Sequence, residues 1–368
     1  TVLKLSNGCN INCWDKGTVN CQGKNADEIN KILSGTLPTQ ATSNKKVFVV
    51  YGHDGNAKTQ LEAMLRRWDL EPLILDQLVS SGQTIKEKLE SMGRNCIQLN
   101  IAERENYKLG ATRFGGQPDV PSNFIWPTFE GKIFDNIMIT AKRPLAFLAQ
   151  FNCEEISQYD KENLLPKHGL LSFFYELDSQ CWGFDPTDKG CARVYWFEDI
   201  SKLSAAEFPV DMQDEFKLPM LQIKLSQKVS YPSWEDFFQT LPSDEEDEAF
   251  NAAWEEIIGE ESEILNGYSQ LLGWPDVIQN TMYMDCELAS QGYYMGDVEG
   301  WNKIPEDVRK QAEETARDRW MLLFQLDTVE CGDFELMFGD CGHIYFYIMK
   351  EDLKNRRFDR IWLVGQCC

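Results

Sequence analysis

Three histidines, His53, His168 and His343, stand in a chain of 368 residues. That is little material for a zinc site or a histidine-centred triad, so other groups must be weighed beside them. His53 sits in a Gly52-His53-Asp54-Gly55 turn directly after the apolar run KVFVVYG. A ligand phosphate could meet the N-terminus of the following helix there. His343 opens the aromatic run HIYFYI, near Asp340 and the Tyr345 hydroxyl. Together they would form a small polar cluster, although a histidine at a strand start is more often a hydrogen-bonded residue than a general base. Gln150 and Gln325 each close an apolar run, AFLAQ and LLFQ. A buried glutamine must find partners, so each would either cross-link the core or face a cleft between two parts of it. Trp126 stands among Gly115, Gly116, Pro118 and Pro127, and would line a pocket or fill a shaped loop. Asp178, Asp185 and Asp188 lack calcium-loop spacing, and Cys367-Cys368 reads as an exposed terminal thiol pair. No metal-ligand set emerges.

These groups need elements to hold them. Residues 1–35 read as a ββα module: TVLKLSNGCNINCW as one strand, an Asp15-Lys16-Gly17 turn, TVNCQG returning, then a helix over ADEINKILSG. Residues 36–45 have linker composition. From 46 to 96 the rhythm becomes βαβα. The runs KVFVVYG and PLILD are apolar enough for strands buried on both faces, and NAKTQLEAMLRRWDL and IKEKLESM are amphipathic helices.

From about residue 97 the signals repeat in order. The first set is FGGQPDVPSNFIWP, PLAFLAQFN, GLLSFFYELD and CARVYWFED. The second is LLGWPDVIQN, WMLLFQLDT, GHIYFYIMKED and FDRIWLVGQ. A shared Gly-x-Pro-Asp-Val heads each set, so residues 97–368 are expected to form one duplicated domain, with copies at about 110–200 and 270–368. An acidic helical insert at about 240–268 divides them, and PEDVRKQAEETARDRW predicts another helix at 305–320. The fold class is α+β: an internally duplicated, mixed or antiparallel sheet domain, preceded by a small ββα unit and an incomplete βαβα segment of TIR- or flavodoxin-like type.

The net charge of −23 argues against nucleic acid and anionic membrane as partners. No apolar run approaches the ~18 residues of a membrane span. The 12 cysteines are scattered without a CxxC pair or a leader pattern, which fits free thiols in a cytoplasm.

The motifs from FGGQPDVP through LAFLAQFN and LLPKHGLLSFFY to LLFQLD, FGDCGHIYFYI and FDRIW resemble the YwqG-like family of bacterial proteins over roughly 97–368. That resemblance implies a duplicated α+β core in a cytoplasmic protein and assigns no activity or catalytic residue. The segment VFVVYGHDGNAK…LEPLILDQLVSSGQTIKEKLE looks like the first half of the TIR-like nucleotide-binding domains of bacterial defence systems, and GTVNCQGK is similar to the module that often precedes them. Complete members bind or cleave NAD, and a glutamate on their IxEKxE helix orients the ribose; Glu87 occupies the matching position. A carboxylate suits that task because it can bond ribose hydroxyls and stabilise developing positive charge. After Glu90 the chain passes directly into the YwqG-like block, so a TIR-like sheet would end at two strands with an open edge. Such an edge is expected to pack against the large domain or a second subunit. The expected function is a binding or interaction protein, linked to defence or toxin immunity, that contacts a protein partner. The alternative is an NAD-binding or NAD-cleaving enzyme using Glu87, with NAD or a related nucleotide as its ligand.

Overall fold

The computed structural model describes residues 84–104, 106–133, 136–238, 240–259 and 269–367, and earlier in the chain 2–4, 9–13, 19–23, 46–49, 64–68 and 71–74. The chain forms two compact units, Thr1–Lys88 and Leu89–Cys368.

In the first unit, β1 (Val2–Lys4), β2 (Cys9–Cys13) and β3 (Val19–Gly23) pair antiparallel in sequence order. The run expected as a single first strand is therefore two strands. The Asn7-Gly8 pair between them is a hairpin signal. The helix expected before residue 35 and the 36–45 linker lie outside the described residues. Strands β4 (Lys46–Val49) and β5 (Glu71–Ile74) run parallel, with Lys46 opposite Glu71. Residues 64–67 form a helical turn between them, as a parallel pair needs a crossover. Helix α1 (Ile85–Ser91) follows.

The second unit begins with β6 (Arg94–Arg104), β7 (Arg113–Phe114), β8 (Asp119–Pro121), β9 (Thr128–Ile133) and β10 (Asn136–Pro144). Then come β11 (Ala146–Asn152), β12 (Leu170–Tyr175), β13 (Ala192–Phe197), β14 (Leu203–Ala205) and β15 (Leu221–Ser230). After helix α2 (Asp244–Ile258) the chain adds β16 (Gln270–Leu271) and helices α3 (Tyr283–Ser290), α4 (Val298–Lys303) and α5 (Glu306–Arg319). It ends with β17 (Trp320–Leu326), β18 (Val329–Cys331), β19 (Phe334–Leu336), β20 (His343–Met349) and β21 (Trp362–Gln366).

Ten of these strands make one antiparallel sheet in the order β13-β12-β11-β7-β15-β6-β16-β17-β20-β21. The two long strands at its centre, β6 and β15, pair over most of their length. β15 lies beside β7 and β6 beside β16, so each long strand is flanked by a short strand distant from it in sequence. Cys96 and Ile97, where sequence placed a domain boundary, sit inside β6. Strands β12 and β20 are buried almost throughout, so both faces of the sheet are covered at these two strands. On the inner face the arms curl together: Phe173 meets Phe324 at 4.8 Å and Phe346 at 5.3 Å, and Phe151 meets Phe324 at 5.4 Å between ring centres. On the outer face Trp320, Leu322, Tyr345, Tyr347, Trp362 and Val364 pack under α3 and α5. The acidic insert is α2, started by a Ser243–Glu246 capping box and packed through Phe250 and Ala253.

Candidate functional site

Glu87 lies in the first turn of α1, exposed to solvent. Its carboxylate accepts the Thr84 backbone N–H at 2.8 Å and the Thr84 hydroxyl at 3.1 Å, while the Glu87 N–H donates to that hydroxyl at 3.2 Å. This is a capping box. The same Thr84 hydrogen bonds hold the carboxyl below the usual glutamate range. Gly52, His53 and Asp54 lie outside the described residues.

Gln150 and Gln325 are fully buried, and each serves the Pro-Asp-Val loop beside it. The Gln150 carboxamide oxygen accepts the Asp119 backbone N–H at 3.1 Å, and that of Gln325 accepts the Asp276 N–H at 2.9 Å. The supporting backbone also recurs. Each strand carries a bulge just before its glutamine, between Phe147 and Ala149 in β11 and between Leu322 and Phe324 in β17. The carbonyl of the extra residue accepts the turn that leaves the short strand: Gly115 N–H to Leu148 at 2.8 Å, Leu272 N–H to Leu323 at 3.1 Å. Both turns use consecutive left-handed residues, Gly115-Gly116 and Leu272-Gly273. A Cβ at Gly115 would lie 2.1 Å from the Pro219 carbonyl oxygen. The cleft expected between Gln150 and Gln325 is instead filled by their neighbours. Side chains alternate along a strand, so it is Phe151 and Phe324 that meet in the core, while the glutamines point to the other face and their separate loops.

The two loop aspartates have different cations. Asp119 is fully buried and takes Arg113 at 2.9 Å, the Gln150 amide at 2.7 Å, the Gly110 N–H at 2.8 Å and the Tyr107 hydroxyl at 3.0 Å. Burial alone would raise its pKa, but the Arg113 guanidinium, the Gln150 amide and the Gly110 N–H together hold it below the ordinary value. Asp276 is 41% exposed and pairs with His343 Nε2 at 3.0 Å. His343 Nδ1 lies 3.0 Å from Asp327, and the imidazole is only 7% exposed. Burial opposes the imidazolium, yet its hydrogen bonds to Asp276 and Asp327 prevail and push its pKa up to about 10. The Tyr345 hydroxyl donates to the Asp276 carbonyl at 2.5 Å, and burial together with the two aspartates pushes its pKa up. Asp340 is exposed on its turn and makes none of these bonds. The cluster expected around Asp340, His343 and Tyr345 is thus Asp276–His343–Asp327, with Tyr345 behind it.

Trp126 is half-buried, donates to the Leu145 carbonyl at 2.8 Å and packs on Phe124, Phe174 and Phe208, which is a loop anchor. Asp185 caps Thr187, Asp188 accepts the Gly183 N–H, and Asp178 pairs with Arg143. A crevice of about 310 Å³ opens between the 292–297 loop and α4, lined by Tyr293, Tyr294, Asp297, Glu299, Lys303 and Ile304. Among the described residues no His, Cys, Asp and Glu group has the arrangement to hold a metal ion, and no helix is long and apolar enough to cross a membrane. An imidazolium fixed between two carboxylates is a counter-ion and hydrogen-bond donor, and it has no lone pair to act as a base.

The family model described as "CAP12/Pycsar effector protein, TIR domain" matches residues 46–103, ending within β6. The model described as "Domain of unknown function (DUF1963)" matches residues 112–367, from just before β7 to the end of the ten-stranded sheet. No curated protein matches the chain. The chain therefore belongs to the DUF1963 family of domains of unknown function, the YwqG-like family, and carries a TIR-like segment ahead of that domain.

Proposed function

We propose that this is a binding protein of the bacterial defence type, in which the DUF1963 domain recognises a protein partner and the TIR-like segment serves assembly. The observation that carries this reading is the capping box at Glu87. A carboxylate that accepts both the backbone N–H and the hydroxyl of Thr84, the residue that caps its helix, is occupied by the fold, whereas ribose recognition needs it turned to a ligand. The polar groups of the large unit point the same way. Asp119 and His343 are saturated by neighbouring side chains, as in a scaffold rather than a reaction centre. The acidic excess supports a basic partner: beyond residue 88 the chain has 25 lysines and arginines against 50 acidic residues.

An internal duplication gives this scaffold its form. The sheet order, which runs from a long central strand outwards in the same way on either side, and the recurring glutamine–aspartate bond support that origin. The alternative is an NAD-cleaving enzyme using Glu87, favoured by the TIR match. Incubation of the full chain with NAD separates the two. The binding reading expects nicotinamide to form at the buffer rate with wild type and Glu87→Ala alike. Release by wild type that disappears in Glu87→Ala would establish the enzyme and overturn the proposal.

A further inference from the structure

Between Lys228 and Lys303 the chain has no lysine, arginine or histidine, against 17 aspartates and glutamates. That stretch ends on the crevice between the 292–297 loop and α4. Its volume of about 310 Å³ is at the low end of ligand sites, which run on the order of 300–1,000 Å³. It has room for one long side chain rather than for a dinucleotide.

The aromatic wall of the crevice is held in place by the backbone around it. Tyr294 lies over two glycines: a Cβ at Gly296 would come within 2.4 Å of the Tyr294 hydroxyl oxygen, and one at Gly300 within 2.6 Å of its ring. Phe184, on the loop between β12 and β13, packs edge-on against the same ring at 6.4 Å. The Met295 N–H ties the two segments together by donating to the Phe184 carbonyl at 3.1 Å. The Tyr294 ring is nevertheless 38% exposed. Two carboxylates stand beside it. Asp297 caps α4 through one oxygen, which accepts the Gly300 N–H at 2.7 Å, and its other oxygen has no partner among the described residues. Glu299 pairs with Lys303 at 2.7 Å, with the two side chains 79% and 73% exposed. Such a surface pair one helical turn apart contributes little, so a better-placed cation exchanges for Lys303.

We propose that this crevice is the recognition site for an arginine side chain of a basic protein partner. The proposal rests on the reading of the large unit as a module that binds such a partner, and it names the place where binding occurs. The guanidinium lies on the exposed part of the Tyr294 ring, donates to the unpaired oxygen of Asp297 and takes the place of Lys303 on Glu299. A planar, delocalised cation suits this set better than an ammonium. It stacks on an aromatic ring and keeps its in-plane N–H groups for the carboxylates. Because packing on the two glycines already fixes the ring, its ordering costs little on binding. The acidic stretch around the site draws a basic segment towards it and repels an acidic one.

The test titrates the full chain at low salt with the peptide acetyl-Gly-Arg-Gly-Arg-Gly-amide, by calorimetry and by NMR of the Gly296 and Gly300 amides. A twin peptide with citrulline at both arginine positions has the same shape without the charge. The arginine peptide is expected to bind and to shift both amides, and the citrulline twin to do neither. Affinity should fall by roughly tenfold in the double variant Asp297→Asn, Glu299→Gln, and by a similar factor in Tyr294→Leu. Asparagine still caps α4, so the double variant should melt with the wild type. Binding that leaves Gly296 and Gly300 unshifted and is equally tight in the double variant would overturn the crevice, while a basic partner would still dock elsewhere on the domain. Equal binding of the two peptides would overturn the guanidinium. No binding of the arginine peptide would overturn the site and the basic-partner reading together.

Discussion

His343 carries its charge at neutral pH because two aspartates outweigh the cost of burying it. With a pKa pushed up to about 10 against an ordinary 6.5, its contribution to stability is complete below pH 6.5 and is lost as pH rises through 10. Titration of the His343 ring by NMR should therefore show an imidazolium at pH 8. His343→Ala leaves Asp327 nearly buried without its cation and should destabilise the large unit by about 3 kcal/mol in urea unfolding. A free neutral ring at pH 8 would contradict the counter-ion assignment. Asp236 has the opposite balance. It is fully buried, and burial raises its pKa to about 6 although Arg317 and Tyr283 pull the other way. Its contribution is complete below the ordinary 3.8 and declines as pH rises through 6. Asp236→Asn should flatten the fall in melting temperature between about pH 4 and 6, and a variant with the wild-type slope would place the titration elsewhere. At this scale the sequence disclosed His343 and both glutamines, but it set Asp340 beside His343 where the structure has Asp276 and Asp327, and it left the partners of the glutamines open. Asp276 was visible within Gly-x-Pro-Asp-Val, and Asp327 follows Gln325 by two positions. The link from either to His343 runs across strands, so no local spacing announces it.

Between residues and the whole molecule stands the bulge, glutamine and loop unit, which occurs on both β11 and β17. Because the carboxamide oxygen satisfies a loop N–H at 3.1 and 2.9 Å in the two places, Gln150→Ala and Gln325→Ala should each cost about 2 kcal/mol. The Gln150 variant also removes its amide's hydrogen bonds to Asp119 and to the Ala111 carbonyl. Equal small losses of a few tenths would show that the loops hold themselves. The outer strands of each arm were legible from their aromatic runs. The two central strands were not. CIQLNI in β6 and LQIKL in β15 alternate apolar and polar residues, a strand signal, but β15 has a largely exposed outer half and β6 lay across the expected boundary.

For the whole molecule, the flanking of each long strand by a distant short strand means that neither arm has a complete sheet of its own. The inner phenylalanines, Phe151, Phe173, Phe324 and Phe346, form one core rather than two. The large unit should unfold in a single transition followed by fluorescence and by exchange of amides in β12 and β20 together. Separate loss of the β11–β13 and β17–β21 arms would contradict a shared core. The charge belongs to this scale as well: the acidic surface should make association with a basic partner weaken with salt. The central claim, that the TIR-like segment's glutamate belongs to the fold and not to a nucleotide, is tested most directly on Glu87 itself. Titration of its carboxylate by NMR, with and without NAD in excess, should give a pKa below the ordinary glutamate value and the same curve in both samples. A shift that appears only with NAD would show the carboxylate engaging the nucleotide and would contradict the account.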